Sequence, residues 1–295
     1  MIKITKVSEY LDVIKDIDDK MRDENTEIVR PIRFYRGEEE CFPTVISSLY
    51  QLKNKDGSTI ELVEKNLIRE AKIRFPEIVA ECTDNIEMLI KFQHYGLPTR
   101  LLDITSNPLI ALYIACKKKE AESDGRVLVC NSNEADYIDV KTIGTILGIY
   151  GITRLKSLIK KIEQSAFFID SDKERIEFFL HKTIDKPLLF RAPQSNPRIK
   201  IQQGAFILTP FKVRLPGHSC VVDYRDEEEG ILDEMFDMDK TIVIDKEYKK
   251  TILDDLDIMG YNEATIFPEE EHKMNYIKEH YMRFKKYDWS LSLSD

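Results

Sequence analysis

The chain is short of the residues that mark the commonest functional sites. Its 295 residues include five Cys, five His and one Trp. The cysteines, at 41, 82, 116, 130 and 220, are odd in number and never fall as Cys-x-x-Cys. That pattern suggests neither a disulfide framework nor a zinc site, and no metal is expected. There is no GxxxxGK[ST] and no GxGxxG, which removes the P-loop and the Rossmann fingerprint. Positive charge is in deficit: 44 Lys and Arg face 53 Asp and Glu, for a formal charge of −9. A dominant grip on phosphate backbones needs clustered cations, so no strong nucleic-acid signal is present. A local basic pocket inside an acidic protein remains compatible with this balance. No apolar run reaches the length of a membrane span. The first twenty residues, MIKITKVSEYLDVIKDIDDK, are amphipathic and acidic and lack an export-signal core. The expectation is a reduced, cytoplasmic protein with no membrane partner.

What is present is the makeup of an ordinary globular domain, 42% hydrophobic and 33% charged. Internal repeats, low-complexity tracts and Pro/Ser linkers are missing, so residues 1–295 read as a single domain. IKITKV alternates as a short strand, and Ser8 is placed to cap a helix running to about Met21. VRPIRFYRG reads as a strand ending at Gly37. Thr59 to Val79 has helical period, and a second helix spans Asp84 to about His94. YGLP stops it, because Gly ends helices and Pro makes Leu97 extended. GRVLVCNS, HSCVVDY and KTIVIDK read as strands. A helical block over about 143–183 is read as an insertion between sheet elements. A charged amphipathic helix is expected over about 268–286. The fold class is α+β, with mixed, mostly antiparallel sheets and flanking helices.

The most informative stretch is QHYGLPTRLLDITSNPLIALYIAC, Gln93 to Cys116. As a strand, TRLLDIT places Thr99, Leu101, Asp103 and Thr105 on one face and Arg100, Leu102 and Ile104 on the other. Asn107 suits an N-cap and Pro108 the first helical position. The segment from Leu109 to Ala115 has hardly any polar face, as a buried helix does. Strand, tight turn and buried helix together hold polar groups at a sheet end, where a ligand site needs rigidity.

These residues resemble the signature of the FRG-domain family, a bacterial and phage-borne group. FYRG, Phe34 to Gly37, resembles the motif that names the family. HYGLPTRLLDIT, followed by NP and a helix with Ala111 and Ala115, resembles its second and more specific motif. NPRIKIQQGAFIL, Asn196 to Leu208, is similar to its third, and MGYNEATIFPE, Met259 to Glu269, to its C-terminal end. The resemblance spans about residues 30 to 270 and implies a single FRG-like domain with the helical block as a variable insert. The family's motif order resembles that of ADP-ribosyltransferases, which implies a fold of that type, NAD as cofactor, and a place in bacterial stress response or phage defence. Under that analogy Arg36 is the early arginine that meets NAD. Asp103, Ile104 and Thr105 take the place of a Ser–Thr–Ser motif, and Gln202, Gln203 and Gly204 that of the catalytic Glu–x–Glu.

On their own chemistry, Arg36 offers a rigid guanidinium fork to a diphosphate, and Gly37 allows close backbone approach. A structural pair of Arg36 with Glu38 or Glu39 is the alternative. Arg100 and Thr99 join the candidate binding set, as does Tyr95, whose ring could stack on a base. His94, at a broken helix end, is a candidate proton carrier or a donor to a carbonyl. Asp103 and Thr105 suit ribose hydroxyls, and Asp103 an oxocarbenium ion, with the early arginine keeping the carboxylate ionised. Gln202 and Gln203 can hydrogen-bond but cannot serve as a base at neutral pH. The candidate catalytic group is therefore Asp103, Thr105, His94 and Gln203. The candidate binding group is Arg36, Gly37, Tyr95, Thr99, Arg100 and Gln202. His218 and Cys220 lack an orienting third group, and the acidic run Asp226 to Glu234 fits no EF-hand spacing. Three readings stay open: an enzyme acting on NAD or a related nucleotide, a non-catalytic nucleotide-sensing or interaction module that uses the same pocket and engages a protein partner, and a metal-dependent nuclease or hydrolase.

Overall fold

Period-two segments do form the centre of the protein, and the computed structural model joins them into one seven-stranded sheet. It describes residues 1–24, 32–52, 59–118, 123–130, 140–147, 152–162, 186–191, 196–209, 211–224 and 226–283. The strands are β1 (Ile2–Ile4), β2 (Tyr35–Glu38), β3 (Leu101–Thr105), β4 (Gly125–Val129), β5 (Leu188–Phe190), β6 (Gly204–Leu208) and β9 (Ile242–Ile244). Their order is β1-β9-β4-β2-β3-β6-β5. Only β1 and β9 run parallel; the other neighbours are antiparallel. β7 (Phe211–Arg214) and β8 (Val221–Tyr224) form a separate antiparallel pair.

Helices flank the sheet: α1 (Val7–Glu24), α2 (Ile60–Arg74), α3 (Pro76–Glu81), α4 (Asn85–His94), α5 (Pro108–Cys116), α6 (Val140–Leu147), α7 (Leu155–Ile162), α8 (Pro197–Ile201), α9 (Lys249–Ile258), α10 (Glu263–Ile266) and α11 (Glu270–Arg283). No described helix is long and apolar enough to cross a membrane. Three boundaries differ from the sequence expectations. The single helix expected over Thr59 to Val79 is two, because Pro76 cannot continue the first and opens the second. At α1 the cap is made upstream of Ser8: Glu9 accepts from the Thr5 backbone N–H at 2.8 Å and from its hydroxyl. The C-terminal helix begins at Glu270, and residues 284–286 lie outside the described residues. So does the second half of the insertion expected over about 143–183, from residue 163 onward.

Alternation divides the sheet into two faces. On one face, two cores stand side by side. Val127, Val129, Ile242 and Ile244 pack with Ala111, Leu112 and Ala115 of α5 and with α1 and α9. Leu101, Phe206, Leu208 and Phe190 pack with Ile86, Leu89 and Ile90 of α4 and with Ile143, Ile146, Leu158 and Ile162 of α6 and α7. The described part of the insertion is thus built into the main core. The opposite face is covered by a third core of Phe34, Val45, Leu102, Ile104, Ile207, Leu232 and Phe236.

α5 fixes the seam between the two cores. Asn107 caps it, accepting from the backbone N–H groups of Leu109 and Ile110, and Pro108 is its first residue. Six of its nine residues are buried. Its small residues let it press onto the sheet: a Cβ on Gly37 would fall 2.0 Å from the Ala111 carbonyl oxygen, and one on Gly125 2.3 Å from that of Ala115. Neither glycine tolerates a side chain without moving the helix.

Candidate functional site

β2 and β3 pair at a single position, Tyr35 opposite Thr105, and then part. The parting opens a cleft of about 480 Å³ between α4 and α5, lined also by β6, α8, Phe267, Glu39, Glu40 and Phe42. That size is in the range of small-molecule sites.

Asp103 stands at its centre. By register Asp103, Thr105, Tyr35 and Gly37 share one face of the sheet, while Arg36 and Glu38 leave by the other. Arg36 nevertheless reaches the site, because its guanidinium turns into the gap. Nη1 donates to the Asp103 carbonyl oxygen at 2.9 Å and Nε to Glu38 Oε1 at 2.9 Å. Glu38 also holds Arg126, its cross-strand partner, at 2.7 Å. The structure thus brings Arg36 and Asp103, 67 residues apart, to one cleft, but the contact is to the main chain of Asp103. The Asp103 carboxyl accepts from Gln93 Nε2 at 2.7 Å, and the other end of that amide accepts from the Thr99 hydroxyl. The carboxyl touches solvent inside the cleft yet is enclosed by the protein around it. That enclosure raises its pKa above the ordinary value, against the opposing pull of Arg36, Arg198 and the Gln93 hydrogen bond. Arg36 pulls in the expected direction, favouring the ionised form, but loss of solvation outweighs it and the net shift is upward.

His94 closes α4. Gly96 takes φ +90°, and the N–H groups of Gly96 and Leu97 return to Gln93 and Phe92, a Schellman ending. His94 Nε2 lies 2.7 Å from Glu269 Oε1, and Nδ1 lies 3.4 Å from the Asn196 amide nitrogen. Burial lowers its pKa, with Arg198 adding and Glu269 opposing. Both ring nitrogens face protein groups, the Glu269 carboxylate and the Asn196 amide, so the imidazole lines the cleft as a group held in place.

The remaining candidates divide. The Thr105 hydroxyl lines the cleft but is spent on the backbone, donating to the Gln202 carbonyl at 2.5 Å and accepting from the Asn107 N–H at 3.0 Å. Gln202 lines it too, its amide donating to the Ile266 carbonyl at 3.4 Å. Gly37 borders it, yet the backbone that approaches Gly37 is that of α5. Four candidates lie elsewhere. Gln203, in a left-handed turn at φ 48°, is exposed, and its amide oxygen accepts from the Ser106 hydroxyl at 3.3 Å. Tyr95 is 70% exposed beyond the helix end. Thr99 is buried beneath Gln93. Arg100 is buried just before β3, away from the cleft: Nε donates to Glu64 at 3.0 and 3.2 Å, and the guanidinium lies 4.6 and 3.9 Å from the Phe211 and Tyr224 ring centres.

Several cleft residues were not singled out from sequence. Gln93 immediately precedes the HYGLPTR motif. Arg198 lies inside NPRIK and Phe267 inside TIFPE, with Glu269 behind them as the partner of His94 and Arg198. Lys117 follows α5 as Ile110 and Ile114 do along it, at helical spacing, and all three line the cleft. The Lys117 ammonium is 4.3 Å and the Arg198 guanidinium 4.8 Å from the centre of the Phe267 ring, and Arg198 Nη1 is 3.5 Å from Glu269. Among the described residues, no group of three or more His, Cys, Asp or Glu is arranged to hold a metal ion.

Fold and site together define an α+β protein with a cleft where a mostly antiparallel sheet parts. Residues 32–124 match the family model of the FRG domain, a segment that takes in β2, α4, β3 and α5. No curated protein and no solved structure matches the chain. The segments 196–208 and 259–269 lie outside the matched residues, although both contribute to the cleft.

Proposed function

We propose that the cleft binds a nucleotide of the NAD or ADP-ribose type, in the ADP-ribosyltransferase-like arrangement implied by the motif order. The observation that carries this reading is the meeting of Arg36 and Asp103 at the parting of β2 and β3, in one cleft of about 480 Å³. Arg36 is held at Nε and Nη1, which leaves the N–H groups of Nη2 unused by these contacts and fixed in direction. They suit the oxygens of a ribose or phosphate. The Gln93 amide, fixed by Thr99, orients the Asp103 carboxyl towards a sugar hydroxyl. In its ionised form Asp103 would stabilise positive charge developing on an anomeric carbon as a base departs.

A second reading, a sensor that binds without turnover, is favoured by the start of β6. Gln202, Gln203 and Gly204 supply no carboxylate there, and Gln203 faces away from the cleft. Incubation of the folded protein with NAD separates the two, with bound nucleotide measured by equilibrium dialysis and released nicotinamide by chromatography. Release that rises with pH above the ordinary carboxylate range, and that Asp103→Asn abolishes while binding stays within about tenfold, is the enzyme's signature. Binding without release identifies the sensor. Absence of binding at millimolar NAD and ADP-ribose removes both.

A further inference from the structure

We infer that the anion-binding end of the cleft is the Phe267 corner, where Lys117 and Arg198 share one aromatic ring, and that this corner takes a diphosphate group. The inference rests on the nucleotide reading only for the remainder of the ligand.

Three segments far apart in sequence build the corner: the end of α5, the first turn of α8 and the stretch after α10. The ring they share is 4% exposed. Each cation is attracted to the ring's π face, at 4.3 Å for Lys117 and 4.8 Å for Arg198. Two cations drawn to one ring also repel each other, so the arrangement favours an anion between or beside them. Resident carboxylate supplies only part of that charge. Glu269 lies 3.5 Å from Arg198 but is closer to His94, at 2.7 Å. For the Lys117 ammonium, the Phe267 face is the only partner among the described residues.

Arg36 has the opposite balance. Its Nε is matched by the Glu38 carboxylate and its Nη1 by a carbonyl, and Glu39 and Glu40 line the cleft beside it. A diphosphate placed there would meet Glu38 and Glu39, with Glu40 paired to Lys118 alongside, whereas at Phe267 it would meet two cations and one carboxylate, Glu269, beside Arg198. The diphosphate that the early-arginine analogy gives to Arg36 is therefore assigned to Lys117 and Arg198, and Arg36 is left with the sugar end.

The test is calorimetric titration of inorganic pyrophosphate, ADP, ADP-ribose and adenosine at fixed ionic strength. The proteins are wild type, Lys117→Gln, Arg198→Gln, the double variant and Arg36→Ala. Wild type should bind pyrophosphate and ADP, and ADP at least tenfold tighter than adenosine. The double variant should lose at least tenfold in affinity for both, with adenosine unchanged, and Arg36→Ala should weaken pyrophosphate by less than the double variant does. If the double variant melts early, the two single variants, each at a partly exposed side chain, carry the comparison. The inference is overturned if wild type binds neither pyrophosphate nor ADP at millimolar concentration. It is overturned equally if Lys117→Gln and Arg198→Gln leave pyrophosphate affinity within twofold, or if Arg36→Ala costs more than the pair. Pyrophosphate held by this corner with no gain for ADP-ribose defeats the nucleotide reading alone. ADP-ribose bound tightly by the double variant defeats the corner alone.

Discussion

Arg100 and Arg36 both stand beside β3, and the protein treats them in opposite ways. Arg100 is enclosed, with both oxygens of Glu64, two aromatic rings and the Thr209 carbonyl around it. Arg36 is held on one side by Glu38 and the Asp103 carbonyl and looks into a cleft on the other. One arginine has all its chemistry consumed by the fold; the other has part of it left over. Arg100 belongs to the longer and more specific motif, so specificity of a sequence signature is no guide to which of its residues face a ligand. Much of HYGLPTRLLDIT ends a helix, seats a strand and anchors neighbouring segments. Of its polar members, His94, Asp103 and Thr105 line the cleft, and the Thr105 hydroxyl is spent on the backbone.

Three substitutions would break this contrast, in order of expected effect. Arg100→Ala leaves Glu64 buried without its cation and should cost about 3–5 kcal/mol in urea unfolding. A loss under 1 kcal/mol would show the network to be dispensable. Gly37→Ala comes next. Its new methyl would meet the α5 backbone, which cannot yield as a side chain does, and overpacking of this kind costs about 1–3 kcal/mol or more. If Gly37→Ala instead leaves the melting temperature unchanged and only weakens ligand, the close approach at Gly37 serves the ligand and not the helix.

The third concerns Glu227, a neighbour of the enclosed network. It accepts from the Ser47 N–H at 2.5 Å and from the Thr209 hydroxyl, and burial raises its pKa to about 7. The folded state therefore holds this proton more tightly than the unfolded chain, whose glutamate titrates near 4.3. The stability due to this group is whole below that value and is lost as pH rises towards about 7. The loss is on the order of 3–4 kcal/mol by linkage. Glu227→Gln should flatten that part of the stability profile. An unchanged slope between pH 5 and 7 would assign it to other groups.

Local signals were legible wherever one segment decides its own structure. The absence of a polar face on Leu109 to Ala115 marks α5 as buried, Asn107 and Pro108 mark its start, and Gly96 marks the end of α4. The Pro76 break in the second helix was equally visible in type, but the apolar period runs on through it. What the sequence did not disclose depends on strand order. Arg36 and Asp103 leave opposite faces and meet only because β2 and β3 part after one pair. Lys117, Arg198 and Phe267 meet only because the segments that bear them converge on one cleft. The helix beneath Gly37 could not be told from a ligand above it, since both demand a residue without Cβ.

The central claim is that the leftover side of Arg36 faces a nucleotide. Its most direct measurement is calorimetric titration of ADP-ribose into wild type and Arg36→Ala, beside melting curves of both. Glu38 keeps Arg126 when Arg36 is lost, so the fold should hold, with melting temperatures within a few degrees. Affinity should fall by about one to two decades, since about 1.4 kcal/mol is tenfold. Folded wild-type protein that binds no ADP-ribose at millimolar concentration, or an Arg36→Ala variant that binds it as tightly as wild type, would contradict the account.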